Sequence, residues 1–226
     1  MSTIEKNVVC LVSGGMDSAT LMYEALDQGV LHSCLSVNYQ QKHKKELLYA
    51  SRLCTRLGIK HHTIDLSALK PFMMGSALTD QVTMPEGHYT AENMKLTVVP
   101  NRNMILLSVA IAYAISHKLM EVRFGAHSGD HDIYPDCREG FVKAMNAAAA
   151  IANWHPIRVT APYINFDKAA ILNIGIPLGL DYGWTWTCYQ GGDLACGKCG
   201  ACQERLEAFM KIRRIDPLKY EREDLA

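Results

Sequence analysis

The sequence predicts an α/β fold, a doubly wound parallel sheet of five strands, with a small cysteine-rich segment at its C-terminal end. Three observations predict it. Apolar strand-like runs alternate with helix-like segments, the turns between them are short, and a glycine turn directly follows the first apolar run. A β-α-β-α-β order with short connections favours parallel strands with helices on both faces. We expect the α/β domain to span residues 1–180 and the appendage residues 181–226.

The individual elements follow from hydrophobic periodicity and from turn residues. The predicted strands cover residues 8–12, 33–39, 61–66, 121–125 and 158–161. The predicted helices cover residues 17–27, 41–57, 104–117, 139–153, 167–173 and 201–212. Gly58 is expected to stop the second helix and Asp167 to cap the fifth. Residues 70–95 lack periodicity, and this pattern predicts either a lid or binding loop or a surface excursion.

Composition restricts the classes of function. The chain has 226 residues, of which 49% are hydrophobic, so it can bury a sizeable core. Its 23 basic and 23 acidic residues balance, and no overall field attracts nucleic acid or an anionic membrane. The apolar run after the polar residues 1–7 is too short for a signal-peptide core or a membrane span. We therefore expect a cytoplasmic protein with no nucleic-acid or membrane partner.

The stretch SGGMDS at residues 13–18 is the strongest local signal. Gly14 and Gly15 allow a tight turn and a close backbone approach to an anion. The following helix start offers unpaired N–H groups and partial positive charge. Ser13 and Ser18 add hydroxyl donors, and Asp17 is suited to hold Mg²⁺. The alternative is an ordinary strand-to-helix turn capped by Ser13.

This stretch lacks the lysine of a Walker A loop and resembles the SGGxDS pyrophosphate loop of the PP-loop ATPases. The resemblance implies that ATP is cleaved between its α- and β-phosphates. The residues expected to bind ATP are Val12, Ser13, Gly14, Gly15, Met16, Asp17, Ser18, Ala19, Thr20, Leu21 and Met22. Ligands of open α/β sheets bind beyond the carboxyl ends of the strands. The polar stretches 13–18, 39–46 and 125–138 should therefore converge on one cleft.

Four of the eight cysteines, Cys188, Cys196, Cys199 and Cys202, cluster near the C-terminal end. Close thiolate spacing on glycine-rich turns suits tetrahedral Zn²⁺, and four thiolates leave no open position for water. The expected site is therefore structural. An iron–sulfur cluster is the alternative, because it also binds to sets of thiolates.

Three further segments resemble one family within the PP-loop group, the 7-cyano-7-deazaguanine synthases (QueC) of queuosine biosynthesis. They are VVPNRN at 98–103, YPDCREGF at 134–141, and YGWTWTCYQGG at 182–192 followed by CGKCGAC. With SGGMDS, the resemblance spans about residues 8–212. It implies an adenine-nucleotide α-hydrolase-like fold, a four-cysteine zinc site and a homodimer. It also implies a ligase that uses ATP and ammonia to convert 7-carboxy-7-deazaguanine to the nitrile through adenylated intermediates.

Catalytic roles are expected for Asp17, Ser18 and Arg102. Arg102 would pair with a phosphate or with the substrate carboxylate, the alternative being a surface ion pair at a helix start. The residues expected to contact the substrate are His43, Asp136, Arg138 and Glu139. The alternative for Asp136 is a loop cap, and for His43 a solvated helix turn.

Several positions depart from the family pattern or carry alternative roles. Gln40 and Asn101 stand where glycine is expected, and Lys42 stands where arginine is expected. Cys137 is expected to be an inert packed thiol, with a persulfide carrier as the alternative. Lys168 is expected on a solvated helix face, with a contact to the nucleotide as the alternative.

Other functions remain open at this point. One is a PP-loop sulfurtransferase, against which the balanced charge argues. Another is an enzyme that transfers the activated deazaguanine to a protein amine. The last is a purely structural zinc protein.

Overall fold

The sheet has five parallel strands in the order β3-β2-β1-β4-β5, in a computed structural model that describes residues 5–42, 44–80, 83–87 and 92–221. The strands are β1 (Val8–Leu11), β2 (Leu31–Asn38), β3 (His61–Asp65), β4 (Glu121–Arg123) and β5 (Arg158–Thr160). All four neighbouring pairs run parallel. The predicted fold class is confirmed.

The helices are α1 (Met16–Asp27), α2 (Lys45–Arg56), α3 (Arg102–Ser116), α4 (Glu139–Ile151), α5 (Lys168–Gly175) and α6 (Gly200–Lys211). Short 3₁₀ turns lie at Ser67–Phe72 and Glu92–Thr97. The expected cap of α5 is confirmed, because Asp167 Oδ1 accepts a hydrogen bond from Ala170 N at 2.7 Å.

The second helix begins later than the sequence predicts, at Lys45 instead of residue 41. Gln41 is held outside it, because its Oε1 accepts from Tyr39 N and its Nε2 donates to Val37 O. Gln40 has a left-handed backbone, with φ of 63°. These contacts turn the chain before the helix can start.

The order of the strands places a crevice between β1 and β4. The chain winds from β1 through β2 to β3 on one side, and then continues on the other side with β4 and β5. Such a reversal separates the neighbouring connections and opens a binding crevice beyond the carboxyl ends of the strands. The loop after β1 lies at this crevice.

The C-terminal segment packs into the same core as the sheet. Its four clustered cysteines belong to one buried apolar cluster with Val9 and Leu35. Arg205 of α6 is fully buried and forms a bidentate pair with Asp216, with distances of 2.7 and 2.8 Å. Arg205 also donates to the Tyr182 carbonyl oxygen at 2.9 Å. The division into domains at residue 180 stays a prediction.

Among the described residues, one stretch, Met94–Ser116, is long and apolar enough to cross a membrane by length and composition alone. It includes α3, which packs on β1 and β4. Because the core helix of a soluble protein passes the same test, this stretch is only weak evidence for a membrane span.

Candidate active site and metal centre

A cavity of about 230 Å³ opens beyond the carboxyl ends of β1, β2 and β4. Residues from all three polar stretches line it. They are Ser13, Gly15, Asp17, Ser18, Tyr39, Gln41, Glu46, Gly125, Ala126, His127, Asp130 and Cys137. The predicted convergence of these stretches is confirmed. Leu78 also lines the cavity, so the described part of the irregular segment contributes to its wall.

The glycine loop is tightly enclosed at Gly14. Its φ of 98° lies in the left-handed region, and a Cβ there would overlap the Glu46 carbonyl oxygen and stand 2.9 Å from Ala50 N. Trp186 N donates to the Gly14 carbonyl oxygen at 2.9 Å. Only glycine fits this position, which lies between α2 and the C-terminal segment.

The two serines of the loop stabilise the turn through each other. Ser13 Oγ accepts from Gly15 N, and Ser18 Oγ accepts from Ser13 N, both at 3.2 Å. Ser18 Oγ also donates to the Gly15 carbonyl oxygen at 3.2 Å. The first-turn N–H groups of α1 have no helical partners and carry partial positive charge, so the turn suits an anion.

A buried ionic cluster lies beside this turn. Lys168 Nζ lies 2.7 Å from Asp17 Oδ2, 2.8 Å from His127 Nε2 and 3.3 Å from Glu204 Oε2. His127 Nε2 lies 3.5 Å from Asp130 Oδ2. The expectation that Lys168 lies on a solvated face is wrong, since its side chain is only 7% exposed. Lys168 follows the capping Asp167 and begins α5, which packs against α1.

The charges in this cluster shift one another's pKa. Burial alone would raise the pKa of Asp17, but the Lys168 ammonium and His127 outweigh it, so this pKa lies below 3.8. Burial alone would lower the pKa of Lys168, but Asp17 and Glu204 raise it well above 10.5. Burial also raises the pKa of Glu204, against the opposing effect of Lys168. Asp17 and Lys168 are therefore a charged pair at neutral pH.

Asp17 keeps one oxygen unpaired. Its Oδ1 is buried and has no hydrogen-bond partner among the described residues. A buried carboxylate oxygen without a partner is costly, and oxygen is the ligand that Mg²⁺ prefers. The position at the start of α1 therefore fits a divalent cation.

The four clustered cysteines form a compact buried set. The Sγ atoms of Cys188, Cys196, Cys199 and Cys202 all lie within 4.8 Å of one another. Two backbone N–H groups, those of Lys198 and Cys199, point at Cys196 Sγ at 3.4 Å. Tetrahedral Zn–S bonds of about 2.3 Å place sulfur atoms nearly 4 Å apart. The set therefore fits a metal ion with four thiolate ligands.

Comparison with protein families decides which group the chain belongs to. A family model described as "Queuosine biosynthesis protein QueC" matches residues 7–213. The chain belongs to the QueC family. The resemblance inferred from the sequence motifs is thus confirmed.

Relatives in the QueC family are similar over nearly the whole chain. The 7-cyano-7-deazaguanine synthase of Alteromonas mediterranea is 56% identical, over 96% of this chain and 100% of the relative. That of Hahella chejuensis is 55% identical, over 97% of this chain and 95% of the relative. Among solved structures, NMN synthetase from Francisella tularensis has a TM-score of 0.49 at 13% identity, covering 92% of this chain and 78% of that one. A likeness this distant says nothing about what this chain binds.

Two departures from the expected QueC pattern keep a glycine-like backbone. Gln40 has φ of 63° and Asn101 has φ of 56°, both in the left-handed region. Asn101 precedes α3 as its N-cap residue. Asparagine tolerates this conformation better than most residues, and glutamine tolerates it less well. The turns that glycine would form are therefore present here without glycine.

Arg102 and Asp136 lie at the start of α3, and Asp136 is not among the residues that line the cavity. Arg102 lines the cavity, and its guanidinium lies 5.7 Å from the centre of the Tyr134 ring. Asp136 Oδ2 accepts from Asn103 N at 3.0 Å, so one of its oxygens caps the start of α3. Asn103 Nδ2 donates to Cys137 Sγ at 3.1 Å, and burial raises the pKa of this thiol, which makes it a poor nucleophile.

Glu139 and Arg138 likewise do not line the cavity. Glu139 is exposed and pairs with Lys143 at 2.8 Å. Arg138 is exposed, and its Nε donates to the His131 carbonyl oxygen. His43 lies outside the described residues. The roles given to all three stay predictions.

Only part of the expected ATP segment lines the cavity. Val12, Ser13, Gly15, Asp17 and Ser18 do so. The side chains of Met16, Ala19, Thr20, Leu21 and Met22 are fully buried instead. They form the faces of α1 that pack on the sheet and on the C-terminal segment, where Thr20 Oγ1 lies 2.7 Å from the Tyr182 hydroxyl.

Sequence reasoning missed His127, Asp130 and Glu204 as individual site residues. His127 and Asp130 lie in a stretch predicted to reach the cleft, and no spacing distinguishes them within it. Glu204 carries a weak signal, because it shares helical spacing with Ala201 and Ala208 on an apolar face. A charged residue on such a face indicates a buried partner.

Proposed function

We propose that the chain converts 7-carboxy-7-deazaguanine and ammonia to 7-cyano-7-deazaguanine, with release of AMP and pyrophosphate. The product would enter queuosine or related deazaguanine biosynthesis. One observation carries this proposal: the chain is 56% identical to a named 7-cyano-7-deazaguanine synthase over 96% of its length. The glycine loop at the cavity is compatible with it, because a helix start with free N–H groups suits a phosphate group.

The first half of the reaction makes an amide. A substrate carboxylate oxygen attacks the α-phosphorus of ATP, and pyrophosphate leaves. We assign the pyrophosphate to the turn at Ser13, Gly14 and Gly15 and to the first-turn N–H groups of α1 that follow it, which are oriented before the negative charge develops. Ammonia then attacks the activated carbonyl carbon and loses one proton, the carbon–oxygen bond to the phosphate breaks, and AMP leaves with that oxygen.

The second half removes the elements of water from the amide. The amide oxygen attacks the α-phosphorus of a second ATP, and pyrophosphate leaves again. Cleavage of the carbon–oxygen bond releases AMP, and the nitrogen loses both of its protons to leave the nitrile. We infer that Arg102, which lines the same cavity, pairs with a phosphate or with the substrate carboxylate.

Two metal ions belong to the proposal. Asp17, through its unpaired Oδ1, would hold Mg²⁺, which neutralises charge on the departing phosphates when bound. The four cysteines would hold a structural Zn²⁺. Metal analysis of the purified protein tests the second assignment: we expect about one zinc per chain, and iron with inorganic sulfide would contradict it.

The remaining parts of the proposal concern the setting of the enzyme. We propose a homodimer, as the family resemblance implies. The free cysteines, buried throughout the described chain, support a reducing compartment such as the cytoplasm.

A product assay tests the proposed reaction. The purified chain is incubated with 7-carboxy-7-deazaguanine, ATP, Mg²⁺ and ammonium, and both the deazaguanine mass and the nucleotide products are followed. We expect the nitrile with two AMP per product, and the amide as a transient species. Release of ADP, or nucleotide cleavage that does not depend on the deazaguanine, would contradict the proposal.

A further inference from the structure

Glu204 lies between the four clustered cysteines and the glycine loop at residues 13–18. It belongs to the first part of α6, two residues after the thiolate ligand candidate Cys202. Its side chain is 14% exposed, and its Oε2 approaches Lys168 Nζ at 3.3 Å. The neighbouring Arg205 turns the other way, into the buried pair with Asp216. The helix that begins at the cysteines therefore presents one carboxylate to Lys168, which itself lines the cavity.

Lys168 is shared between two carboxylates. Among the described residues, its ion pairs are with Asp17 at 2.7 Å and with Glu204 at 3.3 Å. Asp17 uses only Oδ2 in its pair, and its Oδ1 has no hydrogen-bond partner in the described part of the chain. A second carboxylate on the ammonium balances its charge, so that Asp17 need not turn both oxygens towards Lys168.

We propose that Glu204 is a positioning residue that shares the Lys168 ammonium and so leaves Asp17 Oδ1 available to a divalent cation. This inference rests on the proposed nucleotide site. It gives the cysteine-bearing segment a role in the glycine loop, because a residue of that segment keeps Asp17 Oδ1 available, in addition to any structural role of the segment. Without the Glu204 charge, Asp17 becomes the single carboxylate at ion-pair distance from the Lys168 ammonium among the described residues, and it is drawn more strongly to it.

The test is a titration with Mn²⁺ in place of Mg²⁺, followed by electron paramagnetic resonance in the presence of a non-hydrolysable ATP analogue. Neither deazaguanine nor turnover is needed. We expect Glu204→Gln to weaken Mn²⁺ binding about tenfold, in the range found for groups that orient a metal ligand. Binding of the analogue without metal should not weaken, because the substitution removes a negative charge near the phosphates.

Two matched variants separate positioning from other effects. Asp130→Asn removes an equal charge from the wall of the cavity, where the carboxylate lies 3.5 Å from His127 Nε2 and outside the two ion pairs that Lys168 forms in the described chain. It should weaken Mn²⁺ binding clearly less than Glu204→Gln does. Lys211→Gln breaks the other ion pair between α6 and the start of α5, with the exposed Asp167, and should leave Mn²⁺ binding unchanged.

Three results from the variants would overturn the inference. One is Mn²⁺ binding in Glu204→Gln that equals that of the unmodified chain. Another is an equal loss in Asp130→Asn, which would mean that charge alone acts. The third is unfolding or loss of the cysteine-bound metal in both Glu204→Gln and the volume-matched Glu204→Met, which would make Glu204 structural. If the unmodified chain itself binds no Mn²⁺ beside the analogue, the proposed nucleotide site fails as well.

Discussion

Gly14 is the position of the glycine loop at which a side chain would be tolerated least. Its φ of 98° and the overlap of a Cβ with the Glu46 carbonyl oxygen act together. We expect Gly14→Ala to destabilise the fold by at least about 2 kcal/mol and to abolish ATP binding. Gly15→Ala is the matched control, because Gly15 has φ of −75° and its Cβ would stand 3.3 Å from Ser13 Oγ. Thermal melts that rank the two variants equally would contradict this account of the loop.

The Asp17–Lys168 pair makes stability depend on pH in a definite direction. Because the pKa of Asp17 is lowered in the folded state, its contribution to stability is complete above pH 3.8 and is lost as the pH falls through the folded-state pKa. Because the pKa of Lys168 is raised in the folded state, its contribution to stability is complete below pH 10.5 and is lost as the pH rises through the folded-state pKa. The pair therefore stabilises the fold from about pH 4 to about pH 10.

We expect Asp17→Asn to cost about 2–3 kcal/mol at pH 7, because it leaves a buried ammonium with less compensation. The difference from the unmodified chain should shrink as the pH falls below 4. Urea unfolding at pH 7 and at pH 3 measures this difference in the free energy of unfolding, and Asp27→Asn, at an exposed position, is the control. A difference that stays constant between the two pH values would exclude the assigned pair.

At the scale of elements, the start of α3 depends on a left-handed residue. Asn101 has φ of 56°, which asparagine tolerates and a β-branched residue does not. We expect Asn101→Val to destabilise the fold by about 2 kcal/mol and Asn101→Gly to change it by less than about 1 kcal/mol. Met104→Val, on the exposed side of α3, controls for helix propensity. Equal losses in both valine variants would show that the backbone at residue 101 is unimportant.

The cysteine-bearing segment is expected to depend on its metal. Cys199→Ala removes one of four ligands, so it should lose the metal and lower the melting temperature by about 10 °C or more. Cys54→Ala is the control, because Cys54 is equally buried but lies in another apolar cluster. Metal content and melting curves are measured together, and treatment with a chelator should reproduce the effect. A Cys199→Ala chain that stays folded and metal-loaded would refute the assignment.

The elements were predictable where they repeat a simple pattern. Apolar runs with period 2 or 3.6 determine β1 to β5 and α1 to α6, and these depend mainly on local sequence. The start of α2 was not predictable, because it depends on the side-chain contacts of Gln41 with its own backbone. The burial of Lys168 was not predictable either, because it depends on two carboxylates from distant parts of the chain.

In the site, too, the residues that are close in sequence were predictable, and those that meet only through tertiary packing were not. Ser13, Gly14 and Asp17 are contiguous, so their chemistry can be inferred from the sequence alone, and the four cysteines are almost as compact. Glu204 reaches Lys168 only through the packing of α6 on α5. Asp136 was expected to face the substrate, but one of its oxygens caps α3, a choice that loop sequence does not determine.

At the scale of the whole molecule, the account depends on a sheet whose order reverses beside β1. That reversal brings the glycine loop, the start of α3 and the segment after β4 around one cavity. The C-terminal segment closes the cavity from another side, through Trp186 and Thr187. The nucleotide and the metal centre are thus expected to be close neighbours in one core.

The most direct test of the central claim is a crystal structure with an ATP analogue whose α–β bridge cannot be cleaved. We expect its β- and γ-phosphates against the N–H groups of residues 14–18, with the α-phosphate facing the cavity towards Arg102. A nucleotide bound elsewhere, with residues 13–18 facing solvent, would contradict the claim and the proposed reaction with it.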